Sequence, residues 1–484
     1  GSNFQNIKVP ASRNELRNVM TKISKSLLRG VTILLLLAVA ACGDAAPTQH
    51  FPSDADVMAI VEERVDSGNS AGIVVGMLEA DGSRRYVAYG ESGPGALPLS
   101  SKSVFEIGSI TKVFTAIVLA DMATRGELGL DDPVAGLLPD DVTVPSRNGE
   151  VITLAHLSTH RSGLPRLPTN LAPADPSNPY ADYTTAQLYT FLSGYTLPRD
   201  IDAEFEYSNL AVGLLGHVLA LRAGIEYEAL VRERILEPLG MDMTGIELSA
   251  EMERQLALGH NGDGVTSNWD IPTLAGAGAL RSNAEDMLTF LAANIGDAST
   301  ALEESMRLTH EPRRPASSGQ VGLNWIIRAV GDEHIVWHNG GTGGYHTFAG
   351  FDPASAVGVV VLTNSGGAGT DDIGFHLLNP EVPLAAPEAP VARTEVEVSA
   401  DIVSAYVGVY ELAPEFQITV TLEDGQLQLQ ATGQQKVPIF AESDSEFFLR
   451  VVDAQVTFVR DGTGAATSLI LHQGGADQTA RKIR

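Results

Sequence analysis

A serine and a lysine three residues apart, Ser109 and Lys112, stand at the head of an apolar run. Ile110, Val113, Phe114, Ile117 and Val118 recur at spacings of three and four, which predicts a largely buried helix from Ser109 to Met122 with Gly126 as its stop. On such a helix the two side chains share one face of the first turn. A hydroxyl there sits among unpaired backbone N–H groups at the positive end of the helix dipole, a setting that favours developing negative charge. A lysine of lowered pKa can take the serine's proton, so the pair is a nucleophile with a base attached. The spacing alone carries little. With 7 Lys and 33 Ser in 484 residues, chance supplies about half an occurrence, and an isolated pair reads as a Ser N-cap followed by a solvated lysine.

Two further stretches add to it. Glu204-Phe205-Glu206-Tyr207-Ser208-Asn209 leads into an apolar helical run, Leu210 to Leu221. Tyr207 and Asn209, two apart on an extended segment, point the same way at a loop-to-helix junction; seen alone they read as a buried Tyr and an Asn N-cap. His334 to His338 reads as a strand, followed by Asn339-Gly340-Gly341-Thr342-Gly343-Gly344. This glycine run lacks the Gly-Lys-Ser/Thr of a phosphate loop. Glycines after a strand instead permit close backbone approach by another group.

The elements that must position these residues follow the same periodicities. Ala55 to Val65 reads as an amphipathic helix, Ala71 to Leu78 as a buried strand and Arg85 to Tyr89 as its hairpin partner. Between helix and strand, Gly68-Asn69-Ser70-Ala71-Gly72 matches the G-x-S-x-G elbow, but that elbow needs a strand before and a helix after, so it reads as a turn. Tyr345 to Phe351 and Val357 to Thr363 read as adjacent antiparallel strands. Ile152 to His160 reads as a short helix carrying His156 and His160 at i and i+4; no Glu follows the first His, so a hydrogen-bonded pair is expected and no metal. Pro165 to Pro179 is a Pro-, Asn- and Ser-rich surface loop at the rim of a cleft. Tyr227 to Leu236 is a further helix, and Ser282 with Glu285 a capping box opening another through Leu291.

Composition bounds the partners. The net charge is -28, and residues 1–42 hold six basic residues against one acidic, so the remainder carries 26 basic against 59 acidic. Such a surface repels phosphate backbones, which excludes nucleic acid as the expected partner. The single cysteine, Cys42, allows no internal disulfide and no cysteine metal cage. Met20 begins a short basic region, and the eleven-residue apolar run Val31 to Ala41 is too short to span a bilayer. Val39-Ala40-Ala41-Cys42-Gly43 resembles a bacterial lipoprotein signal, which implies lipidation of Cys42, export to the periplasm and, from Gly43, the outer membrane. Residues 1–19 then lie upstream of the expected start, 20–42 form the signal and 43–53 a tether. Asn379 to Val398, with four prolines, is the expected linker between residues 54–378 and 399–484. Beyond it, Phe416 to Leu422 and Leu427 to Ala431 alternate around an Asp424-Gly425 turn. Short strands follow at Val437–Ala441, Glu446–Val451, Val456–Arg460 and Ser468–His472, as in a small β-barrel or sandwich.

Ser109/Lys112, Tyr207/Asn209 and His338-Asn339-Gly340, in that order, resemble the S-x-x-K, Y-x-N and [K/H]-x-G motifs of one family of serine hydrolases. It includes class C β-lactamases, DD-peptidases, D-aminopeptidases and related esterases. The resemblance runs from Ala55 to Leu378 and includes Leu157-Ser158-Thr159-His160-Arg161-Ser162-Gly163-Leu164 and Glu237-Pro238-Leu239-Gly240-Met241. The tail, with Tyr406-Val407-Gly408-Val409-Tyr410, is similar to the lipocalin-like barrel appended to some members. The resemblance implies an α/β (α+β) fold: an antiparallel sheet flanked by helices, an all-helical subdomain and a C-terminal barrel. It implies attack by Ser109 to form an acyl-enzyme, with Lys112 and Tyr207 sharing the proton transfers. Asn209 would fix Lys112 and contact the substrate amide, the amides of Ser109 and Gly341 would hold the oxyanion, and Asn339, Gly340 and Gly341 would line the substrate. No cofactor is implied. His338 departs from the Lys of class C β-lactamases, so peptide or ester hydrolysis is expected and β-lactam turnover should be poor. An esterase and a non-catalytic binding protein using the barrel are the alternatives; oligomeric state is left open.

Overall fold

Alternation along the strands explains why the central sheet is buried on both faces. In β1 (Gly72–Leu78), Ile73, Val75 and Met77 point one way while Val74 and Leu78 point the other. The first set packs with Val57 and Val61 of helix α1 (Asp54–Asp66), capped by Ser53. The second set faces the main core, where Gly76 lies against Leu288. The computed structural model describes residues 49–484 apart from 263, 297–301, 332, 368, 387–392, 414–415, 433–435, 450–453 and 474–475. The expected signal and Cys42 lie outside the described residues.

The sheet has eight antiparallel strands. Besides β1 they are β2 (Arg84–Gly90), β3 (Arg314–Ala316), β4 (Gly319–Val321), β5 (Ile326–Val330), β6 (Glu333–Gly341), β7 (His346–Asp352) and β8 (Val357–Thr363), in the order β2-β1-β8-β7-β6-β5-β4-β3. Between β2 and β3 the chain makes a helical subdomain. Its centre is α2 (Thr111–Thr124), every residue of which from Thr111 to Met122 is buried. The helices α3 (Leu154–Ser158), α4 (Thr185–Gly194), α5 (Asn209–Ala223) and α6 (Ala284–Ile295) contribute apolar side chains to the same core. Helix α7 (Asp371–Leu378) covers the opposite face of the sheet with α1.

Three local expectations are corrected. The α6 cap is Asn283, whose side chain accepts from the Asp286 amide at 2.8 Å. Ser282 belongs instead to a two-residue strand paired with Phe105–Glu106, and its hydroxyl meets Thr244, so the cap slips by one residue. The α5 cap is Ser208, which leaves the Asn209 side chain free of that duty. His156 and His160 do not share a helix face, because α3 stops at Ser158 and His160 takes φ +57°. His156 turns back to Thr153 in a capping box.

The C-terminal segment is a nine-stranded, nearly closed antiparallel barrel. Its strands are β9 (Gly408–Ala413), β10 (Phe416–Glu423), β11 (Gln426–Ala431), β12 (Lys436–Pro438), β13 (Phe440–Ala441), β14 (Glu446–Phe448), β15 (Ala454–Arg460), β16 (Ala466–Gln473) and β17 (Ala476–Lys482). The two edge strands, β12 and β13, are consecutive in the chain and separated only by Ile439, whose amide bonds Leu427. Asp424 and Gly425 both take positive φ, the type I′ geometry a two-residue hairpin needs. The interior is filled: Tyr406 stacks on Phe458 with ring centroids 4.1 Å apart, and the Tyr410 hydroxyl donates to the Tyr406 carbonyl.

Candidate active site

Gly108 makes the turn that presents the nucleophile. At φ +50° it starts a short 3-10 turn, Gly108–Ile110, which runs directly into α2, so Ser109 sits two residues before the α-helix proper. Lys112, one residue into α2, is fully buried. Its Nζ lies 2.9 Å from Ser109 Oγ and donates to the Ala277 carbonyl at 2.6 Å. Its backbone carbonyl is held in turn by Asn324. Among the described residues, no carboxylate is a hydrogen-bond or ion-pair partner of its Nζ. Burial, with the charge of Arg166 second, holds its pKa well below that of free lysine.

Tyr207 closes over this pair, its ring centroid 4.9 Å from Lys112 Nζ. Burial pushes its phenol up to about 12, against the opposing pull of a hydrogen bond with Ser109 and of Arg166. The two candidate bases are therefore driven apart: the lysine toward its neutral form, the phenol toward keeping its proton. A neutral amine 2.9 Å from a hydroxyl can accept its proton; a protonated phenol beside it can pass one on.

Strand β6 forms the facing wall. It pairs with β5 only as far as Trp337, whereas it pairs with β7 through Gly341, so the backbone of residues 338–341 has one free edge. The Thr342 amide donates to the Tyr345 carbonyl, and the alternation of an antiparallel ladder then turns the Gly341 N–H away from β7, onto that free edge. A Cβ on Gly108 would come 2.7 Å from the Gly341 nitrogen, so the nucleophile turn and this amide are in direct contact. The Ser109 amide, in the first turn of its helix, has no intrahelical acceptor. Two N–H groups thus flank one hydroxyl.

His338 points inward from β6, 2% exposed, its ring 6.2 Å from that of Tyr207. Its Nδ1 faces the Asn339 carbonyl at 2.6 Å and so carries the proton, leaving Nε2 as a buried acceptor without a partner among the described residues. Burial, helped by Lys112, pushes its pKa down to about 3, so the ring is neutral and not even a weak cation. Asn339 lies on the other face of the strand, where its side chain donates to Asp371 at 2.6 Å; period-two alternation withdraws it from the cleft expected of it. Gly340 owes its identity to packing: a Cβ there would overlap the Ile107 carbonyl, while one at Gly341 meets nothing within 4 Å. At Gly340 the close approach is made by the protein's own backbone.

Asn209 lines the cleft but does not hold Lys112. Its Nδ2 donates to the Tyr180 hydroxyl at 3.3 Å, and its buried Oδ1 has no partner among the described residues. The cleft is bounded by Ser109, Asn209, Gly341 and Thr342 and walled by Tyr180, Trp269 and Ile271. The wall residues were not legible in the sequence. Trp269 is pinned by a buried ion pair: Glu106 accepts from its amide at 2.8 Å, and Arg281 donates to its carbonyl at 2.8 Å. A carboxylate inside the apolar run Phe105-Glu106-Ile107 was the available signal. Reciprocal Asn178–Asp270 bonds tie the Pro-rich loop to the same wall, at the cleft rim as expected. Arg166, also missed, is exposed and lies 5.2 Å from the Tyr207 ring.

The Beta-lactamase family profile matches residues 57–378, and a domain of unknown function, DUF3471, matches 392–482. The chain is 31% identical over 309 residues to the D-alanyl-D-alanine-carboxypeptidase/endopeptidase AmpH of Escherichia coli K12, spanning 60% of this chain and 79% of that protein. It is 27% identical over 420 residues to penicillin-binding protein 4* of Bacillus subtilis, spanning 80% and 89%. A β-lactamase/D-alanine carboxypeptidase structure from Yersinia pestis superposes with a TM-score of 0.57 at 25% identity, covering 64% of this chain and 92% of that one. With the family profile covering most of the chain and the expected serine–lysine pair in contact, the protein belongs to the Beta-lactamase family of serine hydrolases.

Proposed function

We propose that the chain hydrolyses small peptides or amides through an acyl-enzyme on Ser109, after the manner of D-Ala-D-Ala peptidases. The observation that carries the reading is the buried Lys112 Nζ, 2.9 Å from Ser109 Oγ with no carboxylate among the described residues to hold its proton. Ser109 Oγ attacks the carbonyl carbon as its proton passes to neutral Lys112. The amides of Ser109 and Gly341 take the oxyanion, worth about 3–4 kcal/mol per donor. Collapse expels the amine, which regains the proton through Lys112 and Tyr207. Water then attacks the ester and gives its proton to the same pair, freeing the serine. The free Asn209 Oδ1 suits a substrate N–H, and Arg166 at the mouth suits a C-terminal carboxylate. The names of the AmpH and Yersinia relatives support a carboxypeptidase.

The test is a panel of D-Ala-D-Ala peptides, D-aminoacyl anilides, short chromogenic esters and nitrocefin, with intact-mass detection of the acylated serine. Ser109→Ala and Lys112→Ala should abolish turnover; near wild-type rates in either would refute the assignment. Nitrocefin should turn over slowly because neutral His338 supplies no fixed cation. The apolar wall of Tyr180, Trp269 and Ile271 favours a second reading, an esterase for short acyl groups, which esters outrunning peptides would establish. A fluorophosphonate that fails to label Ser109 would leave a binding protein. We also assign export and lipid anchoring through Cys42; Cys42→Ser should move the protein from the membrane to the soluble fraction, and unchanged fractionation would refute the anchor.

A further inference from the structure

His160 is used by none of the steps above, yet it grips the segment that carries Tyr207. It is 1% exposed and takes φ +57°, a left-handed conformation uncommon for any residue with a Cβ, though histidine is among the types that adopt it more readily. Three contacts run from it to three successive residues. Its carbonyl accepts from the Glu206 amide at 2.9 Å. Its Nδ1 accepts from the Ser208 amide at 3.0 Å. Between them, its ring lies on that of Tyr207, centroids 4.5 Å apart and 27° from parallel. Phe205 also meets the imidazole edge-on, centroids 5.4 Å apart. Since a backbone N–H only donates, Nδ1 must keep its lone pair, so the ring proton is on Nε2. That buried atom has no partner among the described residues.

We infer that His160 is a positioning residue, whose ring and backbone set the height and tilt of the Tyr207 phenol over Ser109 and Lys112. The inference rests on the reading that Tyr207 moves protons. The ordinary alternative is a buried histidine that merely keeps residues 205–208 folded. The two differ in one respect: a positioning residue matters only while the hydroxyl it positions is present.

The experiment is a double-mutant cycle with His160→Ala and His160→Asn, each in the wild-type and Tyr207→Phe backgrounds, reading kcat, KM and melting temperature on a chromogenic ester. Asparagine tolerates the left-handed backbone, and its Oδ1 can stand where Nδ1 stands, so His160→Asn keeps the Ser208 bond and removes only the stacked ring. With Tyr207 present, His160→Asn should lower kcat about 10- to 100-fold while KM stays within about threefold; in Tyr207→Phe the same change should cost less than about threefold. Equal losses in both backgrounds, or a wild-type kcat in His160→Asn, would overturn the inference. A wild-type rate in Tyr207→Phe alone would instead remove the role given to the phenol, and this inference with it.

Discussion

Adjacent glycines on β6 should respond oppositely to a methyl group. In Gly340→Ala the new Cβ would overlap the Ile107 carbonyl oxygen and lie 2.6 Å from Thr347 Oγ1. That hydroxyl itself donates to the Ile107 carbonyl at 3.1 Å. Relief requires strand and turn to part by on the order of 1 Å; overpacking of this kind costs about 1–3 kcal/mol, and losing the Thr347 bond adds about 1. The loss of stability should therefore be about 2–4 kcal/mol. Catalysis should suffer more than stability. Ile107 is two residues before Ser109, and Gly341 follows Gly340, so the displacement enters directly between the two N–H groups flanking the nucleophile. A misplacement of about 1 Å costs on the order of 100-fold in rate. The assay is kcat/KM on a chromogenic ester beside thermal melts of Gly340→Ala and Gly341→Ala. The Gly341 variant should melt with the wild type, because its Cβ meets nothing within 4 Å. A Gly340→Ala protein that melts and turns over like wild type would refute the idea that the turn is seated on the strand through this contact.

The remaining expectations concern charge and the barrel. Lys112 acts as a base only when neutral, and its lowered pKa means activity is lost as pH falls through that value. Arg166→Gln removes the second cause of the lowering, so the acid limb of kcat/KM should move to higher pH; a limb that stays or moves down would contradict this. Burial pushes both His310 and His338 down to about 3. The unfolded chain takes up these protons below about pH 6.5 and the folded chain does not, so stability should fall from there toward pH 3, by at most about 1.4 kcal/mol per pH unit per histidine. Urea midpoints measured between pH 7 and 4 should decline less in His310→Gln; an identical slope would exclude His310 as a source. Phe458, 2% exposed and stacked on Tyr406, anchors the barrel interior. Phe458→Ala should cost the barrel about 3–5 kcal/mol, and protease resistance equal to wild type beyond residue 399 would argue otherwise.

Some misreadings share a cause. Strand β17 (Ala-Asp-Gln-Thr-Ala-Arg-Lys) carries no apolar alternation, and only its pairing with β9 and β16 makes it a strand. Val437 to Ala441 has the composition of one strand, but barrel closure splits it at Ile439. The Ser282 capping box was displaced because pairing with Phe105–Glu106 claimed that residue first. Local propensity is a weak prior wherever a distant partner decides.

What the sequence determined by itself was the set of reactive groups and the elements bearing them. Side-chain periodicity is a local property: it marked the helix behind Ser109, the extended approach to Tyr207 and the strand His334 to His338, which the structure carries on to Gly341. Which groups are charged, which nitrogen of each histidine holds a proton, and which side of β6 faces the nucleophile were decided only in three dimensions. Those properties depend on desolvation and on partners such as Ala277, Asp371 and Ser208, which lie tens to hundreds of residues from the groups they control.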